Sequence, residues 1–262
     1  DRRVLRGQSV QRVERVLSGA RLREVQRRGK YLIWDLGERG LALAHLGMSG
    51  KFVLRARREP DPPAPCVVLE LGSGRRVVFS DQRRLGRFQI EDGGTRQTLA
   101  RIGIDALDRE FTPKRFAELL APARLSIKSF LMDQHRVAGL GNIQVAEALF
   151  HAGIHPSRTA SRLSGEEIAK LHRSIRTTLK QALRRERSTE IRYLQEEDGE
   201  NHFLIYGREG EPCSRCGASV RRIVQAGRST YYCARCQPKR PRRKPGEKMP
   251  ASTRKASTRG KR

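Results

Sequence analysis

Four cysteines near the end of the chain constrain its fold more than any other feature. Cys213-Ser-Arg-Cys216 and Cys233-Ala-Arg-Cys236 are two C-x-x-C pairs with sixteen residues between them, a spacing that reads as a four-cysteine zinc site. A two-residue gap lets both thiolates of one pair reach a single tetrahedral ion, and the second pair closes its shell. A redox C-x-x-C accounts for one pair but not for two at this distance. With four protein ligands the Zn²⁺ has no open position, so it is expected to be structural. Between the pairs, residues 220–224 and 229–232 form two short strand patterns around Gln225-Ala-Gly-Arg228, which places Arg228 at the tip of a hairpin. A tip arginine is either a solvated cation or a contact to an anion, and the spacing leaves both open.

Charge favours an anionic partner. The 262 residues carry a formal net charge of +27, far more than solubility requires, and such a balance points to nucleic acid before a membrane surface. The tail from Pro238 holds eleven Lys/Arg against Glu247, or +10 of that total, so the body is strongly basic as well. No apolar run is long enough to span a bilayer, and no signal peptide is visible. Zinc thiolates fit a reducing compartment, and a cytoplasmic location is expected. Cys66, alone in an apolar run, reads as a buried thiol.

The first ninety residues are mostly β in pattern. Residues 31–36 and 41–46 flank Gly37-Glu-Arg-Gly40, 51–55 continues as a strand, and 66–71 with 75–79 flanks Gly72-Ser-Gly74. Residues 87–90 add one more strand, and this even spacing predicts a sandwich or barrel. Beyond Gly94 the texture becomes helical. Thr112-Pro113 opens a helix, and a second runs over 126–133. Gly139-Leu-Gly-Asn142 turns into a third, which Gly153-Ile-His-Pro156 stops. Ser164 and Glu167 make a capping box ahead of a core stripe at Ile168, Leu171, Ile175, Leu179 and Leu183. Residues 186–199 read as a charged loop, and the tail has too few apolar residues to fold. The expected class is therefore α+β and multidomain. A β-sandwich over 1–93 precedes a helical domain over 94–200, a zinc finger over 201–237 and a disordered basic tail over 238–262. Gly139, Gly141 and Asn142 lie between two helices, and the first amides of the later helix are placed to bind a phosphate; on their own, such glycines often serve only packing.

Longer motifs then agree with one another. Lys128-Ser-Phe-Leu-Met-Asp-Gln134, Ala138-Gly-Leu-Gly-Asn-Ile143, residues 147–156 and the cysteine hairpin resemble the formamidopyrimidine-DNA glycosylase / endonuclease VIII family, and the details favour its formamidopyrimidine branch. Residues 27–32, His45-Leu-Gly-Met-Ser-Gly50, Asp81-Gln-Arg-Arg-Leu-Gly86 and 206–213 extend the resemblance from about Arg2 to Gln237. It implies a sandwich, a helix–two-turn–helix domain and a zinc finger that together clamp double-stranded DNA carrying an oxidised or missing base. The implied activity is base excision of formamidopyrimidines and 8-oxoguanine, with strand nicking by β,δ-elimination, by a monomer. Flipping is required because the reactive atom is out of reach in the stack.

By the same resemblance, Lys30 sits near the lesion phosphate and assists β-elimination, and Arg228 grips phosphate and assists δ-elimination. Asn142, with Gly141 before it, binds backbone beside the flipped nucleotide. Met48 and Arg83 fill the vacated space with Leu85 beside them, and Arg124 and Lys128 contact phosphates. The chain departs from the family at several places. Leu85 replaces a wedge phenylalanine, Gln144 a tyrosine, Cys66 a DNA-contacting histidine and Gln82 a proline; these departures bear on lesion and opposite-base preference. The family's N-terminal proline nucleophile and adjoining glutamate have no counterpart in these residues. Asp1 is not an initiator methionine, and residues 2–6 are expected in the sheet that follows the family's first helix, so the chain as given is expected to bind without cutting. A catalytically inactive damage- or abasic-site-binding protein is the alternative function. A zinc-ribbon RNA binder is a third, disfavoured because aromatics make up only 5% of the chain and single-stranded RNA is commonly held by stacking.

Overall fold

The structure, a computed structural model, describes residues 1–91, 97–185 and 201–239. The expected loop at 186–199 and almost all of the basic tail lie outside the described residues.

Two antiparallel sheets build the first domain. One contains β1 (Glu24–Arg28), β2 (Tyr31–Asp35), β3 (Leu41–His45) and β7 (Arg87–Glu91) in the order β1-β2-β3-β7. The other contains β4 (Lys51–Ala56), β5 (Pro65–Glu70) and β6 (Arg75–Ser80) in the order β4-β6-β5. Alternation sends Trp34, Ala42, Ala44, Phe88 and Ile90 into the space between them, where they meet Phe52, Cys66 and Phe79. Register sets small beside large, with Ala42 between Trp34 and Ile90 and Ala44 opposite Phe88. The Trp34–Phe52 ring contact at 5.3 Å joins the two sheets, as the sandwich pattern predicts, while Phe52–Phe79 at 5.0 Å is a cross-strand pair within the second sheet. β1 was not legible, because all five of its residues are exposed and pairing with β2 alone defines it.

The front of the chain corrects the sequence reading. Residues 2–6 are not in a sheet: Arg2–Leu5 is a 3₁₀ turn, followed by α1 (Val10–Leu17) capped by Ser9. Adjacent residues of a strand point to opposite faces, whereas Val4 and Leu5 are both buried in the sandwich core. Only a turn allows that, and Asp1 caps it by accepting from the Arg3 amide at 3.0 Å.

The helical domain comprises α2 (Gln97–Ala100), α3 (Pro113–Leu120), α4 (Ile127–Met132), α5 (Asn142–Ala152) and α6 (Gly165–Arg185). A two-residue parallel ladder, β8 (Ile104–Asp105) with β9 (Val137–Ala138), fixes its edge. Thr112 and Ser126 cap α3 and α4, and Gly153 ends α5 at φ 72°. The capping box forms in both directions, Glu167 N–H to Ser164 Oγ at 3.2 Å and Ser164 N–H to Glu167 at 2.9 Å. Ile168, Leu171, Ile175 and Leu179 are buried, but Leu183 is 48% exposed. Three steps of four residues carry it about 120° around the helix from Leu171, off the packed face.

The finger closes on α5. Glu147, buried on that helix, accepts the amides of Leu204, Ile205 and Tyr206 at 2.9–3.0 Å, and Arg215 donates to the Phe150 carbonyl. Its hairpin is β10 (Arg221–Gln225) and β11 (Arg228–Tyr232), joined by Ala226-Gly227, both at positive φ, as a type I′ turn requires.

Candidate nucleic-acid interface

The β1–β2 turn brings Lys30 against the helical domain. Gly29, at φ 59°, lies so close that an added Cβ would sit 3.1 Å from Ala138 Cβ and 3.6 Å from the Gly139 nitrogen. Asp105 locks this approach. Its carboxylate accepts from Gly29 N–H at 2.7 Å, from Leu107 N–H at 2.9 Å and from both Arg27 terminal nitrogens at 2.6 and 3.1 Å. Burial alone would raise the Asp105 pKa, but the Arg27 fork and the two amides outweigh it and hold the carboxyl below its ordinary value.

Lys30 then points over the start of α5. Its Nζ lies 3.7 Å from the place a Gly141 Cβ would occupy, and Gln144 Oε1 lies 2.7 Å from it; no larger residue fits at 141 without displacing Gln144. No side chain caps α5 at Gly141, which leaves the first amides of an eleven-residue helix available to an anion. Asn142 Nδ2 donates to the Ser229 carbonyl at 2.9 Å and so ties β11 to this helix end. Its Oδ1 is buried with no hydrogen-bond partner among the described residues.

Two further cations join from other elements. Lys128, 2% exposed on α4, donates to the Gln225 carbonyl in the hairpin turn, and Gln225 Nε2 reaches back to Ser157 Oγ at 3.3 Å. Arg228 is exposed at the start of β11. Burial, and then the Arg228 charge, lower the pKa of both Lys30 and Lys128. Like charges are thus held together in a half-dry cleft, an arrangement that an incoming phosphate relieves.

Sequence reasoning quoted His45 only as part of a motif. The β2–β3 register places it opposite Tyr31, with ring centroids 5.1 Å apart, beside Lys30. Burial, followed by Lys30, Arg87 and Arg6, lowers its pKa to about 4. The ring is therefore neutral, and its Nδ1 accepts from Gly47 N–H at 3.0 Å, which leaves the proton on Nε2. The signal that could have found it is strand register, which no single-strand pattern carries.

Met48 is 62% exposed and Leu85 43% exposed, and Arg83 is also exposed. Their loops touch, since an added Cβ on Gly47 would lie 2.7 Å from the Gly86 nitrogen. Met48 is therefore not a core methionine. Arg124 is exposed just before α4, and among the described residues no contact ties it to the Lys30–Lys128–Arg228 group.

Cys213, Cys216, Cys233 and Cys236 place their sulfurs within 4.8 Å of one another, with 3.9 Å between Cys213 and Cys236 and 3.5 Å between Cys216 and Cys233. Zinc–sulfur bonds of about 2.3 Å give tetrahedral edges of roughly 3.8 Å, so the donor set fits Zn²⁺. Without a cation the thiols conflict. The Ala218 amide first pulls Cys216 down to about 7, while burial pushes Cys236 up to about 12.

Comparison with known proteins agrees along the chain. Residues 1–88 match the formamidopyrimidine-DNA glycosylase N-terminal domain, 102–193 the H2TH domain of the same glycosylases, and 210–239 a zinc finger found in FPG and IleRS. A formamidopyrimidine-DNA glycosylase of Desulfitobacterium hafniense is 40% identical over 227 residues, covering 84% of this chain and 82% of that protein. One of Gluconobacter oxydans is 42% identical over 232 residues, covering 84% of each. Among solved structures, MutM in complex with DNA containing carbocyclic 8-oxo-G superposes with a TM-score of 0.80 at 31% identity, covering 90% of this chain and 88% of that one. The Lactococcus lactis Fpg bound to abasic-site DNA gives 0.79 at 32% identity, covering 90% and 89%. Three matched domains in order, relatives near 40% identity over most of both chains and the preserved cysteine cluster lead to one conclusion: the chain belongs to the formamidopyrimidine-DNA glycosylase family.

Proposed function

We propose that the protein clamps duplex DNA at an oxidised or missing base as a base-excision glycosylase with abasic-site lyase chemistry. The observation that carries this reading is the convergence of Lys30, Lys128 and Arg228 on the uncapped start of α5 at Gly141 and Asn142. Three cations and free amides make a site for a strand phosphate. Lys30 faces the phosphate that leaves in β-elimination and stabilises its developing charge. Arg228 offers a planar fork to a neighbouring phosphate, held in place by the Asn142–Ser229 bond. Met48, Arg83 and Leu85 enter the stack and offset the few kcal/mol lost on unstacking, and Arg124 adds a peripheral phosphate contact. The cysteine cluster with its Zn²⁺ holds the hairpin and takes no part in bond breaking. Every cation of the site comes from one chain, so a monomer suffices.

Cutting requires an amine that attacks the sugar C1′, expels the base and leaves an iminium whose neighbouring proton becomes acidic. We propose that the 262 residues alone bind an abasic-site duplex without cutting it. Lys30 is committed to the phosphate and Lys128 to the Gln225 carbonyl, which leaves neither amine for the sugar. Borohydride trapping on an oxidised-purine duplex tests this, with the chain as given and with an upstream segment beginning Pro-Glu. Covalent complexes only with the extended form are expected. Trapping by the 262 residues that disappears in Lys30→Ala would make Lys30 the nucleophile, and failure of the extended form would favour the binding-only alternative.

A further inference from the structure

The three exposed tips Met48, Arg83 and Leu85 belong to two separate loops, yet one fully buried carboxylate serves both. Asp81, at 0% exposure, accepts from Ser49 Oγ at 2.6 Å and Arg83 N–H at 3.2 Å through one oxygen, and from Gly86 N–H at 2.7 Å through the other. Ser49 follows Met48; Arg83 and Gly86 bracket Arg84 and Leu85. Ser49 Oγ also lies 3.3 Å from the Arg83 amide, so the two loops share their donors and acceptors.

Between the outward tips, Arg84 turns inward. It adopts φ 53°, a conformation uncommon for a residue with a Cβ. Its guanidinium donates to the Ala64 and Asp81 carbonyls at 2.6 and 3.0 Å and pairs with the Asp1 carboxylate at 3.0 Å. The backbone is thereby pinned from beneath while both of Arg84's neighbours face solvent. Packing removes the remaining freedom, because Gly86 has Phe79 Cζ 2.5 Å and the His45 carbonyl 3.0 Å from the site of a Cβ.

From this geometry we infer that Asp81 is a positioning residue: it couples the Met48 loop to the Arg83–Leu85 loop so that the three tips enter the DNA stack as one rigid unit. The inference rests on the insertion role proposed above for those tips. A carboxylate suits the task because one planar group accepts three donors at once, and charged acceptors make the stronger hydrogen bonds. An amide at the same place presents an N–H to at least one of those donors. Loops freed in this way lose pre-organisation, which is felt in selectivity for damage and not in general phosphate affinity.

The test uses the full chain and two duplexes of one sequence, one intact and one with a tetrahydrofuran abasic analogue opposite 2-aminopurine. The readouts are the ratio of the two affinities and the 2-aminopurine fluorescence, with zinc content and circular dichroism checked for each variant. Asp81→Asn is expected to lower the affinity ratio roughly ten-fold, to reduce the fluorescence change and to leave intact-duplex binding within about two-fold. Ser49→Ala, which removes one of the three donors, serves as a milder variant should Asp81→Asn fold poorly, and a three- to five-fold drop is expected on the same basis. In a Met48→Ala/Arg83→Ala/Leu85→Ala background, adding Asp81→Asn (or Ser49→Ala) should change the ratio no further. A full effect in that background would overturn the inference, since Asp81 would then act on the fold at large. If the triple variant lowers the ratio and the Asp81 and Ser49 variants do not, the coupling is refuted while the insertion role stands. A triple variant with wild-type selectivity would refute the insertion role, and the inference with it.

Discussion

Asp105 joins the sandwich to the helical domain where Lys30 must be placed. Asp105→Ala removes the acceptor for Gly29 N–H, Leu107 N–H and both Arg27 terminal nitrogens. Breaking a buried, hydrogen-bonded pair costs about 3–5 kcal/mol. The Arg27 side chain is 39% exposed against 10% for Asp105, so water re-solvates part of the guanidinium and about 2–3 kcal/mol is expected. For a chain of this size that corresponds to a fall in Tm of roughly 5–10 °C, read by calorimetry on zinc-loaded protein. The pH dependence has a defined sign. The folded pKa of Asp105 is depressed, so its stabilisation is present above the unfolded value of about 4 and is lost as pH falls through the lower folded value. The gap between wild type and variant should therefore be full at neutral pH and close in acid. A Tm within about 1 °C of wild type at neutral pH, or a gap unchanged in acid, would show that Asp105 does not hold the two domains together.

Three other outcomes follow from the same geometry. Arg228→Ala should retain zinc and lower the slope of log K against log salt by about one unit, whereas Cys233→Ser should lose both zinc and the grip; a wild-type slope for Arg228→Ala would remove its phosphate contact. The lowered pKa of Lys30 means its ammonium is lost at lower pH than an ordinary lysine's, so abasic-duplex affinity should decline as pH rises through that value. Lys30→Arg, which keeps its proton, should stay flat, and identical profiles would contradict the placement. Deleting the chain from Pro238 onward should weaken damaged and intact duplexes by similar factors, because its eleven cations meet phosphates in any register; a loss confined to damaged DNA would show that the tail takes part in recognition.

Much of this architecture was legible because it rests on local rules. Cysteine spacing gave the zinc site, Ser164 with Glu167 gave the start of α6, and two apolar runs flanking Gly37-Glu-Arg-Gly40 gave β2 and β3. Less was legible where tertiary partners decide. β1 has no buried side chain, the β8–β9 ladder is two residues long, and the turn at Val4-Leu5 follows from a core that only the folded sandwich supplies. The site shows the same division. Lys30, Asn142 and Arg228 stand in motifs, but their meeting depends on Gly29 against Ala138 and on Asn142 against Ser229, contacts between residues 109 and 87 positions apart. His45 and Asp81 lie within quoted motifs, yet their roles emerge only from register and burial.

We propose that Lys30, Lys128, Arg228 and the start of α5 form one phosphate site beside a damaged nucleotide. Its most direct measurement is a competition between an abasic-analogue duplex and an intact duplex of the same sequence at a single fixed salt concentration. A clear preference of the 262-residue chain for the abasic duplex is expected, greatly reduced in Lys30→Ala. Equal affinity for the two duplexes, or an undiminished preference in Lys30→Ala, would contradict it.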